Sequence, residues 1–287
     1  MTGEAKPDHE NRTGGQWNSQ LSWGRHQMAL DKQHPDLDES SLVKMFRAFQ
    51  VELDDRNDRY EQLGRLSHDV AIESRRIIIL LHRATSEHRD EILTEGHQRL
   101  CKLNMSALKQ IAAYLRGHSY YMYLRSFSIG LQEYVRAVTF FHYIKYGRLI
   151  TLNEMHEALV FEAHDEETEV ERADADTPTS TLSSVSAFSL QITPMDYMFG
   201  IVDLAGELTR KCIVARGQRE PEEPFVVCSF LRQVYSGFLA CGLTANQSSW
   251  RTLAVGHRVW ALLQHLLEAE KTCYTAKICS LEGFRHT

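Results

Sequence analysis

Apolar residues recur at alternating steps of three and four along most of this chain, a spacing typical of one helix face. The first series predicts a long helix with one face packed against other helices, and it comprises Leu42, Phe46, Phe49, Leu53, Arg56, Tyr60, Leu63, Ser67 and Val70. It continues into the apolar run Ile77–Leu81, which suits the centre of a bundle. A buried strand is the alternative for that run, but the flanking sequence has the helical period.

Spacing and capping residues predict six further helices, at about residues 88–116, 120–146, 151–161, 193–216, 222–241 and 248–280. Thr151 and Glu154 have the spacing of a capping box. Thr193 and Pro194 supply an N-cap and a favourable first helical residue. The chain has only 6 prolines and 16 glycines, which favours long helices over a turn-rich β architecture. We therefore expect an all-α fold.

The last of the seven predicted helices, α7 (about residues 248–280), carries an unbroken series of small and apolar residues at steps of four and three, here called the α7 seam: Val255, Val259, Leu262, Leu266, Ala269, Cys273 and Ala276. Such a series suits a helix that packs on a partner chain. It equally suits an internal helix of a bundle, since it covers only about three heptads. Both interpretations stay open at this point.

Two segments lack periodicity. Residues 1–38 are polar and predict a disordered tail, so a helical domain is expected over residues 39–281. Residues 162–186 begin with eight acids and one arginine and continue as a Ser/Thr-rich run, which predicts a disordered loop. The formal net charge is −6, but without the acidic run the rest is close to neutral. A local basic surface is therefore compatible with the composition.

Compartment is indicated by what the sequence lacks. The N-terminal segment has no apolar signal-peptide core, and no run of about 18 apolar residues suits a membrane span. The six cysteines have no zinc spacing and are typical of buried small hydrophobes in a reducing compartment. We expect a cytoplasmic and nuclear protein with no membrane partner.

Three carboxylates stand out in otherwise apolar helical stretches. Glu133 lies within residues 130–138, and Asp203 and Glu207 lie one turn apart within residues 200–208. Burying a carboxylate is costly unless a cation compensates it, and facing helices often build metal sites in this way. Oxygen ligands without Cys or His favour Mg²⁺ or Mn²⁺. A solvated helix face with surface ion pairs is the competing interpretation.

These stretches also carry a resemblance. Asp58-Arg-Tyr-Glu-Gln-Leu-Gly-Arg-Leu-Ser-His-Asp, Leu80-Leu-His-Arg, Gly130-Leu-Gln-Glu-Tyr-Val, Asp203-Leu-Ala-Gly-Glu-Leu and Phe230-Leu-Arg-Gln-Val-Tyr resemble the translin family, specifically its translin-associated factor X branch. The resemblance implies a seven-helix bundle with long antiparallel helices. It implies assembly with translin into a closed shell that binds single-stranded RNA and DNA. It also implies that such a subunit acts in that shell as a metal-dependent endoribonuclease of RNA silencing and tRNA processing.

The resemblance places the catalytic metal ligands at Glu133, Asp203 and Glu207, but the family's second glutamate falls on Arg136. A guanidinium there would compete with Mg²⁺ for Glu133. One hypothesis is a catalytically impaired nucleic-acid-binding or scaffold subunit. Another is that Arg136 clamps the scissile phosphate while three acids hold one metal. Basic residues Arg75, Arg76 and Arg83 suit either phosphate contacts or ion pairs.

Overall fold

Seven helices make up most of the chain that the structure, a computed structural model, describes: residues 41–84, 87–163, 186–217, 222–241 and 250–283. They are α1 (Ser41–Leu81), α2 (Arg89–Leu103, a π-helical turn Asn104–Leu108, and Lys109–Leu115), α3 (Tyr120–Tyr146), α4 (Leu152–Glu157), α5 (Pro194–Gly217), α6 (Glu223–Ala240) and α7 (Trp250–Gly283). The all-α, seven-helix prediction is confirmed. The predicted tail at residues 1–38 lies outside the described residues.

The chain divides into two compact units, Met1–Asp54 and Asp55–Thr287. The described part of the first unit is the N-terminal part of α1. The second unit holds the rest of α1 and all other elements. No helix in the described ranges is both long enough and apolar enough to cross a membrane.

Helix α1 has two contrasting parts. From Leu63 to Leu81 its apolar face is buried, and the run Ile77–Leu81 is helical, which excludes the strand alternative. The large apolar residues before Leu63 are exposed, among them Phe46 at 62 % and Leu53 at 61 %. The expectation of one packed face throughout was therefore wrong for residues 42–60.

Helix α3 lies at the centre of the second unit and is buried along most of its length. Two glycines allow its neighbours to approach closely. A Cβ on Gly130 would lie 2.5 Å from the Ser67 backbone oxygen of α1, and a Cβ on Gly200 of α5 would lie 2.4 Å from Val135 Cγ1 of α3. Real side chains do not tolerate such distances, so both crossings depend on glycine.

Helices α5, α6 and α7 pack on one another, and the α7 seam faces inward. Val255, Leu262, Leu266, Ala269 and Cys273 are all buried. The internal interpretation of the α7 seam is therefore correct, and the seam does not serve as a docking face for a partner chain.

Three buried cysteines from these helices lie close together, and two of them contact the Pro224 carbonyl oxygen. The thiols of Cys273 and Cys212 point at this oxygen from 3.1 and 3.7 Å, and Cys228 is buried next to them. Burial raises the pKa of Cys212 to about 11 and of Cys273 to about 12. The thiols stay neutral, as expected for small buried hydrophobes.

The structure contains a small two-stranded sheet that the sequence patterns did not predict. β1 (Val160–Ala163) pairs antiparallel with β2 (Ser186–Ser189), with Val160 opposite Ser189. Helix α4 ends at Glu157 rather than near Phe161, although its predicted Thr151–Glu154 capping box is present. The ends of the predicted loop 162–186 thus lie in strands, and its residues 164–185 lie outside the described part.

Candidate functional site

The candidate site is built by the two glycine-dependent crossings on α3. Gly130 fixes α3 against α1, with its N–H donating to Ser67 Oγ at 3.0 Å. Gly200 fixes α5 against α3. Glu133 lies three residues after the first crossing, and Asp203 lies three residues after the second. The close packing therefore places both acidic stretches between α1, α3 and α5.

Glu133 is held by two arginines. Its side chain is only 15 % exposed, and its Oε1 accepts from Arg75 Nη2 at 3.1 Å and from Arg75 Nε at 3.3 Å. The guanidinium of Arg136, one turn along α3, contacts its Oε2. Both carboxylate oxygens of Glu133 thus already face a cation, and Arg75 serves as an ion-pair partner.

Glu207 is held by a histidine and the same arginine. His82 Nε2 lies 2.7 Å from its Oε2, and Arg136 Nη1 lies 3.9 Å from its Oε1. Burial raises the pKa of Glu207, but the His82 hydrogen bond and the charges of Arg136 and Arg210 outweigh it, so the pKa is lowered. Glu207 is therefore ionised at neutral pH, and Arg136 bridges it to Glu133.

Asp203 belongs to a neighbouring part of the same network. Arg258 of α7 donates from Nη1 to its Oδ1 at 2.6 Å and from Nη2 to Gln132 Oε1 at 3.4 Å. The same guanidinium lies over the Phe199 ring, 4.8 Å from its centroid. Arg258 is thereby held on three sides, and it pairs with one carboxylate oxygen of Asp203.

A further buried carboxylate, that of Asp196, lies near the start of α5 and is linked to the network through Gln132. Asp196 is 3 % exposed and accepts hydrogen bonds from Ser128 Oγ at 2.6 Å, Gln132 Nε2 at 2.9 Å and Thr193 Oγ1 at 2.7 Å. The Asp196 backbone N–H donates to Thr193 Oγ1 at 3.1 Å, which confirms Thr193 as the cap. Since neutral donors satisfy it, Asp196 serves to join α3 to α5.

The donor set does not fit a divalent ion in this arrangement. Glu133 of α3 and Glu207 of α5 both contact Arg136, and Asp203 lies one turn before Glu207, but an arginine or histidine stands against each carboxylate. Within the described ranges, no group of three or more His, Cys, Asp or Glu side chains is placed to hold a metal. Arg136, a single positive charge between two carboxylates, takes the bridging position that a shared metal ion would need.

Sequence reasoning missed the residues that complete this network. The sequence patterns did not indicate that His82, Arg258 and His265 take part in it. His265 lies beside Asp203 and Glu207, and burial lowers its pKa despite these two acids. Arg258 and His265 are seven residues apart, so they share one face of α7. That spacing was the available signal.

Comparison with known proteins decides the family. The translin family profile matches residues 58–279 of this chain. The chain belongs to the translin family. It is 39 % identical to mouse translin-associated protein X over 248 residues, which cover 86 % of this chain and 82 % of that protein. The Pongo abelii protein of that name is 38 % identical over 253 residues, covering 88 % and 84 %.

More distant proteins are also similar to this chain over most of its length. The translin-associated protein X homolog of Schizosaccharomyces pombe is 24 % identical over 199 residues, covering 68 % of this chain and 71 % of that one. Among solved structures, the AfC3PO–duplex RNA complex matches with a TM-score of 0.58 at 16 % identity, covering 83 % of this chain and 98 % of the other. Apo-NeC3PO matches with a TM-score of 0.57 at 16 % identity, covering 80 % and 96 %. At this identity, the likeness shows the fold.

Proposed function

We propose that this chain is a nucleic-acid-binding subunit of a translin-containing hetero-oligomer, and that its acidic site is a structural ion-pair network with little or no nuclease activity. The observation that supports the loss of nuclease activity is the position of Arg136, which pairs with both Glu133 and Glu207. Membership of the translin family supports the assembly, and the relative solved with duplex RNA supports nucleic acid as the ligand. The same proposal includes localisation of the protein to the cytoplasm and the nucleus.

The electrostatics explain why Arg136 would oppose metal binding. A cation within hydrogen-bond distance stabilises the ionised carboxylate, but it also repels a second cation at the same oxygens. The Arg136 side chain is only 18 % exposed, so water screens this repulsion poorly. To coordinate Mg²⁺ or Mn²⁺, Glu133 and Glu207 would have to give up contacts that compensate their burial.

A second candidate is the metal-dependent endoribonuclease that the resemblance implies, with Glu133, Asp203 and Glu207 as ligands. One observation favours it. The Nε of Arg136 is buried and has no hydrogen-bond partner among the described residues. A donor without an acceptor is costly, and a phosphate oxygen would satisfy it. In this candidate Arg136 contacts the scissile phosphate.

The experiment uses the complex reconstituted with translin. Binding of a labelled single-stranded RNA is measured by anisotropy, and cleavage is followed in Mg²⁺ and in Mn²⁺. We expect the native complex to bind RNA without metal-dependent cleavage, and Arg136→Glu to gain cleavage that a second change, Asp203→Ala, removes. The double variant is the matched control, because it keeps the glutamate and loses one ligand.

Two results would overturn the proposal. Robust cleavage by the native complex that is lost in Asp203→Ala would establish the endoribonuclease instead. Failure of the native complex to bind single-stranded RNA or DNA at low salt, where phosphate contacts are strongest, would remove the nucleic-acid role altogether.

A further inference from the structure

A small cleft of about 200 Å³ lies between the end of α1 and the C-terminal half of α5. Its walls are formed by Ile79 and His82 from the end of α1, by Arg210, Lys211 and Val214 of α5, and by two alanines. Two of these residues carry a formal positive charge, and none of the described lining residues is acidic. The cleft is smaller than the roughly 300–1,000 Å³ of sites for drug-sized ligands. It therefore suits a small anionic group.

The guanidinium of Arg210 is the main unused donor group of the cleft. Its side chain is exposed, and among the described residues it has neither a hydrogen bond nor a close ion pair. Its charge acts on Glu207 only at longer range, where it helps to lower the pKa of that carboxyl. A guanidinium presents its N–H donors in a planar fork that matches the oxygens of a phosphate or a carboxylate. Arg210 is thus free to bind an oxyanion.

Lys211 supplies a second cation and decides between the two oxyanions. Its Nζ lies 3.1 Å from Glu223 Oε1, and its side chain is only 20 % exposed. An ammonium group has three N–H donors, so this ion pair orients Lys211 and leaves it able to donate to a further acceptor. A phosphate monoester carries about −1.5 to −2 charges at pH 7. Two cations match that charge better than they match a single carboxylate.

The other walls of the cleft are already in place. His82 is held by Glu207 Oε2, which lies 2.7 Å from its Nε2, and by the Phe140 ring, whose centroid lies 4.8 Å from that of the imidazole. Ile79 and Val214 line the cleft but are 63 % and 46 % exposed, which places them at its mouth. Binding therefore requires little ordering of these groups, and a group attached to the phosphate would leave past two apolar side chains.

The end of α1 is the main feature that opposes an anion here. The C-terminus of a helix carries roughly half a negative charge, spread over its last carbonyl groups. The carbonyls of Ile78, Leu80 and Leu81 already accept hydrogen bonds from the N–H groups of residues 82–84, at 3.0 to 3.1 Å. The remaining partial charge is smaller than the two full charges of Arg210 and Lys211, so the balance in the cleft stays positive.

We propose that this cleft is a binding site for a phosphate group. The group is either that of a small phosphorylated molecule or of the free ion, or the terminal phosphate of a nucleic acid. Neither Arg136 nor any of the three predicted metal ligands is among the residues that line the cleft. The inference is therefore independent of metal binding and cleavage at the acidic site.

Binding of inorganic phosphate to the full chain is measured by calorimetry and by thermal unfolding, with chloride at equal ionic strength as the reference. An ion that binds only the folded chain raises the melting temperature by mass action. We expect phosphate to raise it and chloride not to, and Arg210→Gln to weaken phosphate binding at least about tenfold, because a charged donor is lost. Arg125→Gln on α3 is the matched control: Arg125 is exposed and does not line the cleft.

Two neighbouring residues of α5 test the location of the site. Val214 lines the cleft and is 46 % exposed, whereas Ile213 does not line it and is 45 % exposed. Val214→Glu places a negative charge at the mouth without removing a cation, and should weaken phosphate binding at least about tenfold. Ile213→Glu makes the same charge change on another face of the helix and should weaken it by no more than about twofold. Circular dichroism checks that both variants fold.

The source of the phosphate is tested on the complex reconstituted with translin. Binding of a short single-stranded RNA with a 5′-phosphate, with a 3′-phosphate or with hydroxyl ends is compared by anisotropy. If the site takes a nucleic-acid end, one phosphorylated RNA binds more tightly than the hydroxyl form, and Val214→Glu removes the difference while Ile213→Glu keeps it. If the ends make no difference while inorganic phosphate still binds, the site takes a small molecule or the free ion.

Three outcomes would overturn the proposal. One is a native chain that phosphate stabilises no more than chloride does. Another is an equal loss of phosphate binding in Arg210→Gln and Arg125→Gln, which would mean general attraction to a positive surface. The third is a Val214→Glu chain that binds phosphate as tightly as the native one. The measurements with inorganic phosphate involve no nucleic acid and no divalent metal, so this proposal and the proposed function can fail separately.

Discussion

The α7 seam and the exposed row Leu42, Phe46, Phe49 and Leu53 of α1, here called the α1 seam, have the same 3,4 spacing and opposite surroundings. In α7, Leu262 is fully buried and Ala269 likewise, because α5 and α6 pack against that face. In the first turns of α1, Phe46 and Leu53 are more than half exposed. The spacing determines that a helix forms and which face is apolar. What covers that face depends on elements distant in sequence, or on another chain, and local spacing carries no record of either.

The largest expected contrast comes from truncating one residue of each seam. Leu262→Ala should lower the free energy of unfolding by about 2–5 kcal/mol, since it removes buried methyl groups and leaves a cavity. Phe49→Ala should change it by less than about 0.5 kcal/mol in a dilute sample, because the ring is already half in water. Urea denaturation of both variants measures the difference. Equal losses would mean that the two seams are packed alike.

The second contrast uses glycines, one at a packed face and one at an open face. Gly200→Ala should cost about 1–3 kcal/mol, because its Cβ would press on Val135. Gly237→Ala in α6 is the matched control, since nothing lies within 4 Å of that Cβ. It should be neutral or stabilise by up to about 1 kcal/mol through helix propensity. A Gly200→Ala protein as stable as the native chain would show that α3 and α5 can move apart at little cost in free energy.

The third contrast compares a largely buried ion pair with an exposed one. Arg136→Met should destabilise the chain by about 1–3 kcal/mol, since it removes a cation shared by two largely buried carboxylates. Arg232→Met removes an exposed ion pair with Glu270 and should destabilise the chain clearly less than Arg136→Met does. Thermal unfolding of the two variants, in the same buffer, compares them. A stabilised Arg136→Met protein would mean that burying the guanidinium costs more than its pairs return.

The smallest expected effect is a pH dependence confined to the packed bundle. Burial holds the pKa of His265 below its usual 6.5, so the unfolded chain binds the proton first as pH falls through 6.5. Stability should therefore drop on acidification from about pH 7.5 to 5.5, by less than about 1 kcal/mol. His265→Asn should flatten that part of the profile. The first turns of α1 hold no histidine, so changes there should leave the profile unaltered.

Glu207 should also make the folded chain less stable as the pH falls, but in a lower pH range. Its pKa is lowered in the folded chain, so its contribution to stability is present above the unfolded value near 4.5 and is lost as pH falls through the folded value. Glu207→Gln should remove this acid-sensitive part of the profile. An unchanged profile would mean that His82 and Arg136 do not stabilise the carboxylate.

Much of the fold followed from local patterns, because caps and apolar periodicity are local. The Thr151–Glu154 box and the Thr193 cap are examples. The strand Val160–Ala163 was missed because four residues are too few to establish alternation. In the candidate site, the acidic residues and the departure at Arg136 could be read from motifs. The pairing of Asp203 with Arg258 could not, since it joins residues 55 apart in sequence.

The π-helical turn of α2, Asn104–Leu108, has a consequence for chain length. Buried residues around it follow steps of four, from Leu103 to Ala107, Ile111 and Leu115. In a regular α-helix each such step overshoots a full turn by about 40°, so the apolar stripe would rotate away from the core. The wider turn takes up this excess. Deleting one residue inside it would convert the turn to ordinary α-helix and restore a three-residue step. Helix α2 can therefore lose one amino acid at this turn without changing the face that it buries.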